Sequence, residues 1–209
     1  MALAHCGLLG LALLAGPALA AAARPTLLVL GDSLSAEYGL ARGSGWVALL
    51  EKQLAQDKLA VTVVNASISG ETTSGGRSRL PALLKQHRPS HVLIELGGND
   101  ALRGLPLTMT RDNLAAMVRD SRAAGAKALL VGMQVPPNYG ARYGQDFFAL
   151  FPAVAKAEGA ALVPFLLAGV ADGPQAEQLF QPDRIHPTAA AHPRILANVW
   201  PVLKPWLRP

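Results

Sequence analysis

Cysteine is almost missing from this chain: its single copy, Cys6, lies ahead of an apolar leader. A protein cut after that leader has no thiol, which excludes disulfides, a thiol nucleophile and cysteine-based metal sites. No His/Asp/Glu cluster has ligand spacing either, so no metal and no cofactor is expected. Charge is scarce, at 16% of residues, and aromatics are scarcer, at 5%. The net charge is +5, yet there is no run of five Lys or Arg and no aromatic-rich basic stripe, which argues against nucleic acid as a partner. The positive balance suits anionic substrates or peripheral contact with an anionic membrane surface. Repeats, linkers and low-complexity tracts are missing after the leader, so residues 24–209 read as one domain, expected to be a monomer.

Hydrophobic residues, by contrast, make up 51% of the 209 positions, enough for a real core. Part of that total is the leader. Leu8 to Ala23 is a Leu/Ala/Gly run broken only by Pro17, short for a membrane span. Ala18-Leu19-Ala20 is a small-x-small cleavage pattern, so residues 1–23 read as a signal peptide cut at about residue 20–23. The alternative is an uncleaved anchor helix, because no basic residue precedes the run except His5. Cys6 stands before the apolar run, the reverse of a lipoprotein box. A periplasmic or secreted location is expected.

Strand-like and helix-like stretches alternate along the rest. Thr26–Leu30, Val61–Val64, His91–Leu96, Ala128–Gly132 and Ala161–Phe165 are apolar or β-branched runs of strand length. Between and after them, Gly45–Gln56, Ser78–His87, Thr108–Ala124, Phe147–Glu158 and Thr188–Leu203 carry apolar residues at helical spacing, with Pro152, Pro193 and Pro201 as expected perturbations. The rhythm predicts right-handed βαβ crossovers and a parallel sheet covered on both faces. Leu102–Pro106 and Gln134–Gly144 follow strand ends and are expected as irregular loops bordering the crevice there.

Chemistry concentrates at those strand ends. Ser33, in Gly31-Asp32-Ser33, opens the loop after the first strand. A serine hydroxyl is a weak nucleophile without a neighbouring base. Of five histidines, His186 alone lies in a loop with a carboxylate, Asp183, three residues before it. Asp183 could fix the imidazole tautomer and leave the other nitrogen for Ser33. Gly70 follows the second strand and can approach a substrate closely because it lacks a Cβ. Asn99 follows the third and offers a neutral amide donor. With the Ser33 amide they would form an oxyanion hole. Asp32 is expected to accept backbone amides in the Ser33 turn, and Asp100 to play a similar structural part. The set points to acyl transfer, most simply an esterase. Apolar Leu102, Leu105 and Pro106, with Pro136, Pro137 and Tyr139, are expected to receive the substrate and to move as lids.

Ser33 in Gly31-Asp32-Ser33-Leu34-Ser35, Gly70, Asn99 in Gly97-Gly98-Asn99-Asp100, and His186 with Asp183 resemble the SGNH (GDSL-type) hydrolase family. Four ordered blocks, Val64 to Thr72, Arg79 to His87, Glu95 to Asp100 and Pro137-Asn138-Tyr139-Gly140, also resemble a periplasmic branch whose members act as thioesterases, arylesterases and lysophospholipases. The resemblance implies a three-layer α/β/α, flavodoxin-like fold with a five-stranded parallel sheet of order 2-1-3-4-5. It also implies a shallow site for acyl thioesters, aryl esters and lysophospholipids. Arg184 departs from the family pattern, which places a small residue before Ile185-His186, and so does Ala189-Ala190-Ala191-His192-Pro193. A carbohydrate O-acetylesterase on the same fold is the alternative activity, and a silent envelope lipid or polysaccharide binder is the non-enzymatic one.

Overall fold

The computed structural model describes residues 24–208; the expected leader lies outside them. Five parallel strands, β1 (Thr26–Gly31), β2 (Thr62–Asn65), β3 (His91–Glu95), β4 (Lys127–Val131) and β5 (Ala161–Val163), form one sheet in the order β2-β1-β3-β4-β5. Strand position accounts for strand composition. β1 and β3 are flanked on both sides and covered on both faces, and Leu27–Leu30 and Val92–Ile94 are fully buried. β2 is an edge, and its ends, Thr62 and Asn65, are exposed.

Among the described residues, seven α-helices complete the layers: α1 (Trp46–Gln56), α2 (Thr73–His87), α3 (Gly98–Leu102), α4 (Leu107–Ala123), α5 (Ala141–Glu158), α6 (Ala176–Leu179) and α7 (His192–Trp206). α1 packs with α7, while α4 packs with both α2 and α5, giving three α/β/α layers. Trp46, Leu50 and Leu54 of α1 and Ile195, Val199 and Leu203 of α7 are buried on one side. On the other lie Leu114 and Met117 of α4 and the edge-to-face pair Phe147 and Phe151 of α5, 5.4 Å apart. None of the described helices is long and apolar enough to cross a membrane.

Several boundaries differ from the sequence expectation. α2 starts five residues earlier, at Thr73, because the Thr72 hydroxyl accepts the Gly75 N–H at 3.3 Å. Its Gly75-Gly76 pair hides that start in the sequence, yet Gly76 is needed for close packing: a Cβ there would overlap Leu96. α5 starts six residues earlier than expected, at Ala141, and absorbs the end of the Gln134–Gly144 stretch; a 3-10 turn, Pro137–Tyr139, takes up more of it. Short α3 and α6 were not expected. α7 runs through Pro201 to Trp206, and α5 continues through Pro152. Both prolines are exposed, so their rings face solvent instead of a packed neighbour.

The chain leaves β1 toward β2 and then returns to the other side of β1 to form β3. Connections therefore diverge between β1 and β3, and a crevice opens beyond their carboxyl ends. Register sets Gly31 beside Glu95 at that end.

Candidate active site

Ser33 sits two residues past β1, in a turn closed by the Asp32 carbonyl, which accepts N–H groups of Ser35 (3.2 Å) and Ala36 (3.0 Å). The Asn65 side chain at the end of β2 donates to the Ser35 carbonyl at 2.8 Å and ties this turn to the neighbouring strand. Ser33 Oγ lies 2.8 Å from His186 Nε2, although 153 residues separate the two. On the far side of the ring, Nδ1 lies 2.6 Å from Asp183 Oδ2. Asp183 Oδ1 accepts the N–H groups of Ile185 (2.9 Å) and His186 (3.0 Å). Burial alone raises the Asp183 carboxyl, but the His186 amide and ring, the Ile185 amide and the His186 charge outweigh it and draw the pKa down to about 2. An anionic acceptor at Nδ1 keeps the ring proton there, leaving Nε2 free to accept from the serine.

Neighbouring contacts hold the His186 loop in place. Phe180 bridges Pro187 in an antiparallel pair, and the Gln181 N–H donates to the His186 carbonyl at 2.7 Å. The Gln181 side chain donates to the carbonyls of Tyr38 (2.9 Å) and Pro187 (3.0 Å), which joins this loop to the Ser33 turn. Arg184 adopts a left-handed backbone, φ 58°, where a glycine would be relaxed. The unusual segment Ala189–Pro193 does contact the site's scaffold. His192 Nδ1 accepts the Trp46 N–H at 2.9 Å and caps α1, which has no cap of its own.

Gly70 and Asn99 reach the same end of the sheet. The Ile68 N–H donates to the Gly31 carbonyl at 3.0 Å, which lays the loop carrying Gly70 along the Ser33 turn. Gly70 has φ +78°, and its carbonyl accepts Arg103 Nη2 at 2.8 Å. Asn99 lies in the first turn of α3, and its side-chain amide donates to Asp32 Oδ2 at 3.0 Å. Among the described residues the N–H groups of Ser33 and Gly70 donate to no protein acceptor. Asp100 is fully buried and accepts the Thr73 amide at 2.8 Å and the Thr73 and Thr110 hydroxyls. It ties α2 to α3, a wider role than the local turn expected of it.

The loop residues expected around the substrate are less concentrated. Leu102 and Leu105 are half-buried, Pro106 and Pro136 are exposed, and Pro137 opens the 3-10 turn. Tyr139 stacks on Tyr143 at 6.5 Å. Sequence reasoning passed over Tyr38, whose ring lies 4.3 Å from that of His186. Tyr38, Ile68 and Ile185 are the large hydrophobic side chains most open to solvent among the described residues, at 49%, 49% and 42%. Each belongs to a loop that carries Ser33, Gly70 or His186. A clue was available in the sequence: all three are large apolar side chains set in turn-rich, polar loops.

A hydroxyl, an imidazole and a carboxylate in hydrogen-bonded file can transfer a proton and form an acyl intermediate. A model of the GDSL-like Lipase/Acylhydrolase family matches residues 29–194. The chain is 55% identical over 186 residues to "Esterase TesA" of Pseudomonas aeruginosa, covering 89% of this chain and 91% of that one. It is 48% identical over 175 residues to "Thioesterase 1/protease 1/lysophospholipase L1" of Escherichia coli strain K12, covering 84% and 81%. A crystal structure of the psychrotrophic esterase EstA from a Pseudoalteromonas species, inhibited by monoethylphosphonate, superposes with a TM-score of 0.82 at 43% identity, covering 87% of this chain and 98% of that one.

Proposed function

Because this chain belongs to the GDSL-like lipase/acylhydrolase family and is an ester hydrolase, we propose that Ser33, His186 and Asp183 form its catalytic triad and that Ser33, Gly70 and Asn99 form its oxyanion hole. The observation that carries the reading is the file Ser33 Oγ, His186 Nε2 at 2.8 Å and Asp183 at 2.6 Å. Ser33 Oγ attacks the acyl carbonyl carbon while His186 Nε2 takes its proton. The carbonyl oxygen gains the negative charge, which the backbone amides of Ser33 and Gly70 and the side chain of Asn99 receive. The carbon–oxygen or carbon–sulfur bond then breaks, and His186 returns the proton to the departing alcohol or thiol. Water, deprotonated by the same ring, attacks the acyl-enzyme and releases a carboxylic acid.

The substrates we assign are small acyl esters and thioesters, including aryl esters and lysophospholipids. The hydrophobic part of the substrate meets Tyr38, Ile68 and Ile185, with Leu102, Leu105, Pro106 and Tyr139 as the outer walls. Three exposed apolar side chains on the loops that carry Ser33, Gly70 and His186, one of them with its ring 4.3 Å from that of His186, support this assignment. We further propose that the enzyme is exported by its leader to the periplasm or beyond and works as a monomer, touching anionic membrane surface peripherally.

Ser33→Ala tests the nucleophile. It should abolish hydrolysis of p-nitrophenyl butyrate and labelling by a fluorophosphonate, with the thermal melt unchanged. Retained turnover would reject the assignment. Tyr38→Ala tests the apolar surface on a chain-length series: kcat/KM should fall about 10-fold for long acyl chains and less for acetate. An equal loss across the series would exclude Tyr38 from the chain-binding surface, and a wild-type preference for acetate would favour the O-acetylesterase.

A further inference from the structure

Two carboxyl groups lie beneath the Ser33 turn, and the proposed reaction uses neither. Glu95 ends β3 and is wholly buried. Its Oε2 accepts the Ser35 hydroxyl at 2.6 Å and the Asp32 N–H at 3.3 Å, while its Oε1 has no hydrogen-bond partner. Ser35 Oγ in turn accepts the Trp46 indole N–H at 3.1 Å. Glycine at position 31 makes room for this group, because a Cβ there would come within 2.7 Å of Glu95 Oε2 and 2.9 Å of Ser35. Asp32, 2% exposed, stands beside it. Its Oδ1 accepts the Leu34 N–H at 3.0 Å and its Oδ2 accepts one N–H of the Asn99 side chain at 3.0 Å. A primary amide has two such N–H groups. With one tied to Asp32, the amide plane is fixed and the other is left for a ligand.

We propose that Asp32 is a positioning residue, its buried carboxylate holding the Asn99 amide so that the remaining N–H meets the oxyanion. The inference rests on the Ser33 reading above. Two carboxylates side by side in a dry site cannot both be charged. Burial pushes the Glu95 carboxyl well above its usual range, and the neighbouring Asp32 charge adds to this. Burial also raises Asp32, to about 6, against the pull of the Leu34 amide, the Asn99 amide and His186. The single negative charge therefore sits on Asp32 at neutral pH, and Glu95 is its uncharged neighbour. A charged acceptor makes the bond from Asn99 stronger and stiffer than a neutral one. Glu95 from β3, Asp100 from α3 and His186 from the C-terminal loop are the titratable groups facing Asp32. Protonating Asp32 removes its charge and weakens its grip on Asn99. Activity then needs Asp32 ionised, and that requirement acts on the acid side of the pH profile. Asp183, at about 2, lies below that range.

The test is kcat/KM for p-nitrophenyl butyrate from about pH 4.5 to about pH 8, with folding followed by circular dichroism. On the acid side the wild-type logarithm should fall more steeply than that of Asp32→Asn, whose limiting slope should be lower by about 1. At about pH 8, Asp32→Asn should lower kcat about 10- to 100-fold with KM nearly unchanged, and combining it with Asn99→Ala should slow the reaction no further than Asn99→Ala alone. An acid limb of equal slope in the wild type and Asp32→Asn, or fully additive losses in the double variant, overturns the role. Should Asp32→Asn not fold, Glu95→Gln decides: it keeps the shape of a neutral acid and must preserve the wild-type slope, and a slope lower by about 1 overturns the pairing. Turnover surviving Ser33→Ala would instead overturn the esterase reading on which this inference stands.

Discussion

Replacing Asp183 by asparagine changes one atom and should nearly stop the enzyme. The carboxylate accepts three hydrogen bonds: two from backbone amides on Oδ1, at 2.9 and 3.0 Å, and one from the imidazole on Oδ2, at 2.6 Å. Asparagine has one acceptor oxygen and one NH2 group. The two backbone donors claim the oxygen, because an NH2 facing them would leave two N–H groups opposed to it. The NH2 then faces His186 Nδ1, which must accept, so the ring proton moves to Nε2. A protonated Nε2 cannot take the proton of Ser33. In a serine protease triad this tautomer exchange lowers kcat about 10,000-fold, and each factor of ten is about 1.4 kcal/mol of barrier. Here the carboxylate side chain is 37% exposed, so water can compete for the ring and the loss should be smaller, about 100- to 1,000-fold. The assay is kcat and KM on a chromogenic ester, alongside the rate of fluorophosphonate labelling and a thermal melt. KM and the melt should move little. A loss under about 10-fold, with the fold intact, would refute the claim that Asp183 sets the tautomer of His186.

Two further outcomes concern stability. His192→Ala removes the acceptor for the first amide of α1 and should cost about 2 kcal/mol, a drop in Tm of roughly 4–8 °C in a thermal melt. Burial holds the His192 pKa below its ordinary value against the opposing Glu37 charge, so the unfolded chain takes up that proton more readily than the folded one. Its contribution is complete above the unfolded pKa of about 6.5 and is lost as pH falls through and below it, so the variant should lose less stability between about pH 7 and pH 5 than the wild type. Gly132→Ala puts a Cβ onto the carbonyl oxygen of Pro164, a backbone atom that cannot turn aside. About 1–3 kcal/mol of destabilisation should appear in urea denaturation, and an unchanged midpoint would show that β4 and the segment after β5 separate freely.

Much of the fold was readable because the sheet is buried on both sides. Leu27–Leu30 and Val92–Ile94 have no polar alternation, and a strand without alternation needs neighbours on both faces. Helix bodies were equally plain, while helix starts were not. The Thr72 cap at the start of α2 is followed by two glycines, which look like a loop until Leu96 is seen packed against Gly76. α3 is five residues long and follows Gly97 at φ +120°, too short to show any period. Prolines were read as perturbations of the helices, but the exposed Pro152 and Pro201 leave room for the chain to continue.

Chemical composition, the alternation of strands and helices, the strand-end positions of Ser33, Gly70 and Asn99 and the spacing of Asp183 and His186 were in the sequence, since these are properties of the chain itself, while the strand order came with the family resemblance. The tertiary structure alone decided which groups meet: the hydroxyl of Ser33 with a ring 153 residues away, the ring of Tyr38 with that of His186, and Asp32 with Asn99. Packing also decided that Asp32, which looks like an ordinary turn residue, shares a dry space with Glu95. Contact across the sheet depends on register and crossover, and the charge on a buried carboxyl depends on every neighbour that excludes water from it; neither is a property of any local stretch of residues.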